Sequence, residues 1–295
     1  VTAARAALLS GASHLGVSSL QDAVQLRSAG IDAPILAMNH VPVHLTALAI
    51  RQNVTLMVYD LDIARAYNRI AYDVGGRVRV HLKIDTGMGR LGVMPDEARR
   101  FLRYLMNMRY MDVEGLCTHF PSADDDPEYT AQQVETFKAV LNSLQMDTGH
   151  QFKYVHAANS AATLAHPEAH FNMVRPGIAL FGMRPAKDVP LPEGFKPVLT
   201  WKTTVVQTKT LPPGHAVGYG KIYVTEGEEK IAVLPVGYAD GFRRGPTPWS
   251  EVLIHGQRAP LIGRVSMEKT TIDVSHIANV AIGDEVVLLG RQGDE

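Results

Sequence analysis

The sequence predicts an α/β protein: a TIM-type (β/α)8 barrel that lacks its first strand, followed by an all-β domain. Two features lead to this prediction. Short apolar runs alternate with stretches of helical periodicity over the first two-thirds of the chain, and that periodicity then disappears. Repeated strand and helix units indicate parallel strands joined by crossover helices. Because no reversal of strand direction is evident, a barrel is favoured over a doubly wound sheet.

The barrel units follow one another along the chain. A helix-like stretch at Ala3–Leu9 comes first, and the later ones cover 20–29, 62–72, 95–106 and 130–144. The strand-like runs between them are His14–Val17, Pro34–Ala37, Thr55–Val58, Val78–Ile84, Val113–His119, Phe152–His156 and Phe171–Arg175.

The second domain is predicted from a change in composition. Four prolines, at positions 185, 190, 192 and 197, interrupt the chain, and β-rich runs separated by Gly and Pro turns follow. We therefore predict a barrel domain over 1–184 and an all-β domain over 185–295. The β-rich runs are Leu199–Thr210, Lys230–Val236, Glu251–His255, Thr270–Val274 and Glu285–Leu289.

Composition excludes several classes of function. The 29 basic and 30 acidic residues give a net charge of −1, which does not suit an electrostatic nucleic-acid binder. No window approaches the ~18 uninterrupted apolar residues of a membrane-spanning helix. A single cysteine, Cys117, excludes a disulfide framework and a cysteine-based zinc site. We expect a cytoplasmic enzyme.

Polar residues at the ends of the barrel strands are the first candidates for chemistry, because barrel enzymes place reactive groups there. Lys83 ends one strand and precedes a glycine loop that reaches Arg90, while His119 and His156 end two others. Each has a structural alternative: a solvated lysine and arginine at a glycine turn, or a hydrogen-bonded core histidine. Ser160 could serve only as a helix N-cap.

Candidates also occur after the last predicted barrel strand and in the β domain. Arg175 precedes Gly177 and Ile178, whose backbone amides lie where this fold usually binds phosphate; a surface arginine is the alternative. Tyr219 and Tyr238 each lie between glycines or beside one, a pattern that usually indicates packing at turns.

Taken together, six motifs in this order closely resemble bacterial alanine racemase, with a match from near residue 5 to the end of the chain. The motifs are Leu82–Gly92, Thr118–Phe120, His156–Ala162, Arg175–Ile178, Gly218–Gly220 and Gly237–Gly241. The resemblance implies a barrel and a β domain, pyridoxal 5'-phosphate (PLP) as cofactor, and a head-to-tail homodimer. It also implies that L-alanine and D-alanine are interconverted by two-base proton transfer, which supplies D-alanine for peptidoglycan.

The resemblance assigns roles within the barrel domain. Ser160, Gly177 and Ile178 would bind the cofactor phosphate. Arg175 would face the pyridine nitrogen and His156 would support it. Because an arginine does not give up its proton in a protein, it cannot protonate that nitrogen as a carboxylic acid would.

Further roles concern the cofactor's other side and the substrate. Arg90 would contact the cofactor's phenolic oxygen and the substrate. Lys83 matches a position that is often carbamylated in the family, and the carbamate would orient Arg90. Metal ligands are not implied.

The two-base mechanism implies a tyrosine from the partner subunit. Tyr219 matches the family's second base, and His119 would bond to that tyrosine and to Arg175. A tyrosine with an ordinary pKa of about 10 is a poor base at neutral pH unless its partners shift it. Tyr238 and Met267 would narrow the substrate end of a site shared between two subunits.

One family motif has no counterpart. The Schiff-base lysine of the family lies in a Lys-Ala-Asn-Ala-Tyr-Gly-type motif on the first barrel strand, and these 295 residues contain no such motif. The chain opens inside a helix-like stretch and stops after a strand-like run, so we interpret it as part of a longer protein. The chain as given is expected to be inactive.

Alternatives remain open. A racemase of serine or of larger or basic amino acids, and a PLP decarboxylase of the same fold, are the enzymatic ones; Arg175 argues against the decarboxylases, which have an acid there. A non-enzymatic PLP-binding barrel protein would lack the β domain. A membrane-anchored racemase would carry its anchor upstream of Val1.

Overall fold

The protein, described as a computed structural model over residues 1–245 and 250–294, forms two compact units, Val1–Phe195 and Lys196–Glu295. Each unit has its own apolar core. Val189 is buried in the core of the first unit. None of the helices in the described ranges combines the length and apolarity that a bilayer crossing requires.

The first unit is a curled parallel sheet covered by helices, as predicted. Its strands lie in chain order, and each pairs in parallel with the next. Strands β1–β6 are Leu15–Val17, Ile35–Ala37, Val54–Val58, Val78–Lys83, Met111–Cys117 and Tyr154–His156. Helices α1–α7 are Thr2–Leu9, Leu20–Ser28, Thr46–Arg51, Leu61–Asp73, Ala98–Met106, Pro127–Thr148 and Ser160–Ala165.

Local sequence explains where the helices begin. Asp60 caps α4 by accepting hydrogen bonds from the amides of residues 62 and 63, and Asp126 caps α6 with Pro127 in its first turn. Gly149 ends α6 in a left-handed conformation, which a glycine adopts without strain. Helix α3, of six residues, was not predicted. A helix capped by Ser160 was one alternative, and helix α7 does form there, but Asn159 is its N-cap and Ser160 its first residue.

The predicted strand at Phe171–Arg175 is wrong: it forms a single bridge, between Met173 and His156. The amide of Val155 donates to the side-chain oxygen of Asn172 (2.7 Å), where a strand would offer a backbone carbonyl. Pro176 follows directly and has no N–H to extend a ladder. The segment nevertheless lies beside β6, because the amide of Arg175 donates to the carbonyl of Ala158.

The second unit is all-β, as predicted. A seven-stranded antiparallel sheet has the order β7-β15-β12-β13-β14-β11-β8, and β9 pairs with β10. Strands β7–β15 are Trp201–Thr204, Gln207–Leu211, Ala216–Val217, Tyr223–Val224, Glu229–Leu234, Glu251–Ile254, Gln257–Ile262, Thr270–Asp273 and Glu285–Leu289. The run Leu199–Thr210, predicted as one stretch, divides at the buried Val205, because β7 pairs with β15 and β8 with β11.

Candidate active site

The carboxyl ends of the parallel strands bring the predicted side chains to one edge of the first unit. Lys83 ends β4, Thr118 and His119 follow β5, and Arg175 lies beside the end of β6. A small cavity of about 120 Å³ lies at this edge. It is lined by Met38, Asn39, Met57, Lys83, Arg90, Cys117, Thr118, His119 and Arg175.

The guanidinium of Arg175 is fixed by hydrogen bonds on two of its nitrogens. Nη1 donates to Nδ1 of His156 (2.6 Å). Nη2 shares its two hydrogens among three acceptors, the carbonyls of Thr118 and Ala157 (2.9 Å each) and Nδ1 of His119 (3.2 Å). The Nε–H has no protein acceptor among the described residues. The side chain therefore holds one orientation and keeps a donor for a bound group.

Burial and positive neighbours keep the imidazoles of this edge neutral. The pKa of His119 is lowered to about 4 by burial and by the charges of Arg175, Lys83 and Arg90. Burial and the nearby Arg175 hold the pKa of His156 well below its usual range. The pKa of Lys83 is also lowered, first by burial. None of the nine cavity-lining residues is a carboxylate, so the cavity suits an anionic group.

The loop that carries Arg90 is shaped by Asp85 and Gly92. One carboxylate oxygen of Asp85 accepts hydrogen bonds from the amides of residues 87, 88 and 89. Gly92 has a φ of 144°, and a Cβ there would come within 2.4 Å of the Asp85 amide nitrogen. This close approach folds the loop back on itself and places the exposed Arg90 at the cavity mouth.

Ser160 organises the turn after Arg175. Its Oγ accepts hydrogen bonds from the amides of Gly177 (2.8 Å) and Ala179 (3.3 Å), which leaves the hydroxyl hydrogen free to donate. A Cβ placed on Gly177 would meet no described atom within 4 Å. The exposed Ile178 lies between the two bonded amides. The turn thus presents a polar, open edge that fits a small anion.

In the second unit, Tyr238 and Met267 are brought together by backbone contacts. The amides of Tyr238 and Ala239 donate to the carbonyls of Ser266 (3.1 Å) and Met267 (2.9 Å). Gly237 permits this approach, because a Cβ there would lie 2.2 Å from the Ser266 carbonyl oxygen. Two residues predicted to shape the substrate end are therefore neighbours, 45% and 57% exposed.

Tyr219 lies in a turn between two glycines that both have positive φ. Its side chain is 66% exposed, and its hydroxyl has no hydrogen-bond partner among the described residues. A Cβ on Gly218 would meet the backbone of Arg264 at 3.4 Å. The turn backbone is therefore held closely while the phenol remains free for a contact outside this unit's own fold.

The sequence prediction missed three residues that belong to this arrangement: Thr118 as an anchor of Arg175, and His81 and Glu114 behind His156. His81 lies two positions before Lys83 on the same strand. Glu114 lies between buried residues of a parallel strand, where charge is uncommon. These two features of the sequence could have identified His81 and Glu114 as candidates.

The comparisons with known proteins give one family for the whole chain. The family model for the alanine racemase N-terminal domain matches residues 1–185, and that for the C-terminal domain matches 198–295. The alanine racemase of Symbiobacterium thermophilum is 43% identical over 296 residues, which span all of this chain and 78% of that protein. The alanine racemase of Desulfovibrio desulfuricans is 40% identical over 98% of this chain and 78% of its own length.

Solved structures agree with the sequence relatives. Alanine racemase from Bacillus anthracis with bound L-Ala-P has a TM-score of 0.91 and 37% identity, over 99% of this chain and 75% of that one. Alanine racemase from Clostridium difficile 630 has a TM-score of 0.90 and 34% identity, over 100% and 77%. From its two matched domain models and these relatives, the chain belongs to the alanine racemase family.

Proposed function

We propose that this chain is a PLP-dependent racemase that interconverts L-alanine and D-alanine. The observation that carries the proposal is Arg175, a fixed guanidinium at the barrel edge with a free donor, inside a chain that matches the family along its length. The proposed location of the enzyme is the cytoplasm, where it would supply D-alanine for peptidoglycan.

The donor set of the first unit fits PLP, which carries a phosphate and a phenolic oxygen. Ser160 with the backbone of Gly177 and Ile178 would hold the phosphate, because that turn offers a free hydroxyl hydrogen and open space. Arg90 would meet the phenolic oxygen from the cavity mouth. When bound to an amino acid, PLP withdraws electrons from its α-carbon and so acidifies the α-hydrogen.

Arg175 would donate one of its remaining N–H groups to the ring nitrogen. A guanidinium stays protonated in proteins, so it orients the ring without transferring a proton to it. His119 and His156 serve as neutral acceptors and not as competing cations, because burial and the positive neighbours lower both pKa values. The ring would then lie against a fixed positive charge.

Tyr219 would give and take the proton on one side of the substrate, in the site of a second copy of the chain. Its exposure and its unpartnered hydroxyl support this assignment. Racemisation needs one proton-transfer group on each face of the α-carbon, and the tyrosine supplies one. Each active site of the proposed homodimer is therefore composite.

The group on the other face is the lysine of the family motif, which has no counterpart in the 295 residues. We expect these residues alone to bind PLP without racemising alanine. The lysine-supplemented protein, this chain joined to the lysine segment of a curated relative, is expected to racemise it. Racemisation by the 295 residues alone would contradict the lysine requirement.

Tyr238 and Met267 would limit the substrate pocket to amino acids with small side chains. One methylene of difference in an apolar pocket is worth about 1–3 kcal/mol, so alanine should exceed serine, lysine and arginine in kcat/KM. The test is chiral chromatography of all four amino acids with the lysine-supplemented protein and added PLP. PLP binding without racemisation of alanine would disprove the proposed activity.

A further inference from the structure

Behind His156 the sheet contains an irregularity that aims a carboxylate inward. Strands β4 and β5 pair Val80 with Val113, but the next pair is His81 with Gly115, so Glu114 is an extra residue of β5. Bulges are rare in parallel pairs and re-aim side chains near active sites. Here the extra residue places a carboxylate between two buried neighbours in the strand.

Gly115 provides the space in which the ring of His81 lies. A Cβ on Gly115 would come within 2.5 Å of Cγ of His81, a distance that no side chain could accept. The ring lies over the backbone of β5 and is almost fully buried. The glycine and the bulge together fix the imidazole and the carboxylate beside it.

A line of polar contacts runs from this point to Arg175. Nδ1 of His81 lies 2.7 Å from Nε2 of His156, and Nδ1 of His156 accepts from Arg175 at 2.6 Å. At the far end, the Glu114 carboxylate lies 3.7 Å from Nε2 of His81 and accepts a 2.8 Å hydrogen bond from the hydroxyl of Thr55.

The chemistry of the end groups sets the direction of every proton in this line. Arg175 can only donate, so Nδ1 of His156 must accept and its proton lies on Nε2. That proton can go only to Nδ1 of His81, whose own proton is then on Nε2 and faces Glu114. The carboxylate at that end lies 3.7 Å from this nitrogen and stabilises the arrangement through its negative charge.

The charges around the line are consistent with one anion and two neutral rings. Burial lowers the pKa of His81, against the opposing effect of Glu114. Burial opposes ionisation of Glu114, yet contacts from His81 and Thr55 and the charge of Arg79 leave its pKa lowered. His14 and Lys153 also face the group, both near Tyr154, whose ring lies 5.6 Å from that of His81.

We propose that Glu114 is a positioning residue that acts through His81 and His156 to orient Arg175. Its negative charge holds both imidazoles in the Nε2–H form and partly compensates the guanidinium, which has no carboxylate partner among the described residues. The relay itself depends only on this chain. Its consequence for catalysis rests on the proposed function.

The direct test is NMR of the 295-residue chain labelled with 15N at histidine. For His81 and His156 we expect neutral rings with the proton on Nε2 and slowly exchanging, downfield N–H signals. Glu114→Gln should move the His81 signal upfield and the His156 signal less far in the same direction. A His156 proton on Nδ1 in the wild type would overturn the proposal without any variant.

Two variants separate the relay from general damage. Asp112→Asn removes a carboxylate from an exposed position of the same strand and should leave both signals in place. Thr55→Val keeps the charge of Glu114 and should shift the His81 signal less than Glu114→Gln does. An unchanged His156 signal in a folded Glu114→Gln protein would overturn the proposal.

The catalytic consequence is measured in the lysine-supplemented protein. Removing a group that orients a directly contacting residue typically lowers activity ~10-fold or more. We therefore expect Glu114→Gln to lower kcat about tenfold and to leave KM within twofold. An unchanged kcat, or an equal change in KM, would contradict the positioning role. A wild-type protein that binds no PLP would disprove the proposed function, while the tautomers would still decide the relay.

Discussion

The candidate residues of the first unit and those of the second unit are held in opposite ways. In the first unit, His156 and Ser160 are buried and hydrogen-bonded. In the second unit, Tyr219 and Met267 lie on well-fixed turns, but their side chains are exposed. The difference indicates that removing the buried, hydrogen-bonded side chains of the first unit should affect stability and function together. Removing the exposed side chains of the second unit should affect function alone.

The largest expected effect comes from Tyr219→Phe in the lysine-supplemented protein. Loss of a proton-transfer group typically costs ~10²–10⁴-fold, so racemisation should fall by about 10³-fold. The free energy of unfolding should stay within ~0.5 kcal/mol, as for an exposed position without partners. Chiral chromatography and urea unfolding measure the two quantities.

Tyr223→Phe is the matched control for that prediction. The Tyr223 hydroxyl donates a 2.8 Å hydrogen bond to Glu229, so its loss should lower the free energy of unfolding by about 1 kcal/mol and leave racemisation intact. If Tyr219→Phe kept full activity, the second unit would not supply the base.

The next effect belongs to the first unit. Arg175→Leu leaves the carbonyls of Thr118 and Ala157 and Nδ1 of His156 without their donor. At ~1–3 kcal/mol for a buried unpaired group, we expect a loss of about 3 kcal/mol in the free energy of unfolding, together with weaker PLP binding. Urea unfolding followed by circular dichroism measures the loss of stability, and absorbance titration measures PLP binding. Met267→Ala is the comparison from the second unit, and its loss of unfolding free energy should be below ~1 kcal/mol.

Two glycines sharpen the comparison at the level of the backbone. Gly237→Ala would force a Cβ to 2.2 Å from the Ser266 carbonyl oxygen and should cost about 1–3 kcal/mol of unfolding free energy. Gly177→Ala meets no described atom within 4 Å and should leave stability unchanged while it weakens PLP binding. Thermal unfolding with and without PLP distinguishes the two variants. A larger loss of stability for Gly177→Ala than for Gly237→Ala would contradict the space that the structure shows around each glycine.

Sequence patterns predicted the edge of the first unit well, because parallel strands align their carboxyl ends. Lys83, His119 and His156 were found in that way. The relay behind them was not, since a bulge of one residue at Glu114 leaves no periodic signal. Strand β13, Gln257–Ile262, was missed because Arg258 and Pro260 interrupt its apolar pattern, although both neighbouring strands pair with it.

The family resemblance, and not periodicity, singled out Tyr219 and Tyr238. A tyrosine beside glycines has the same local signature whether it packs or reacts. In the structure, two features separate a reactive tyrosine from a packing one: the exposed side chain of Tyr219 and the contact of the Tyr238 turn with Met267. Long-range proximity of this kind depends on sheet register, which a single sequence does not encode locally.

The last expected effect concerns pH and is confined to the first unit. The pKa of His119 is about 4 in the folded protein, because burial and the cations Arg175, Lys83 and Arg90 disfavour its charged form. An imidazole in the unfolded chain titrates near ~6.5. Between these values the unfolded state binds more protons, so acidification favours unfolding.

Stability contributed by His119 is therefore complete above about pH 7, declines as the pH falls from ~6.5 to about 4, and is lost below that. We expect the wild type to lose about 1–2 kcal/mol more unfolding free energy than His119→Gln over this window. Urea unfolding at stepped pH measures the difference, with His44→Gln, an exposed position of the same unit, controlling for the loss of an imidazole. Parallel pH profiles for wild type and His119→Gln would mean that His119 is solvated, and the cationic edge of the barrel would then be more open to water than its hydrogen bonds to Arg175 indicate.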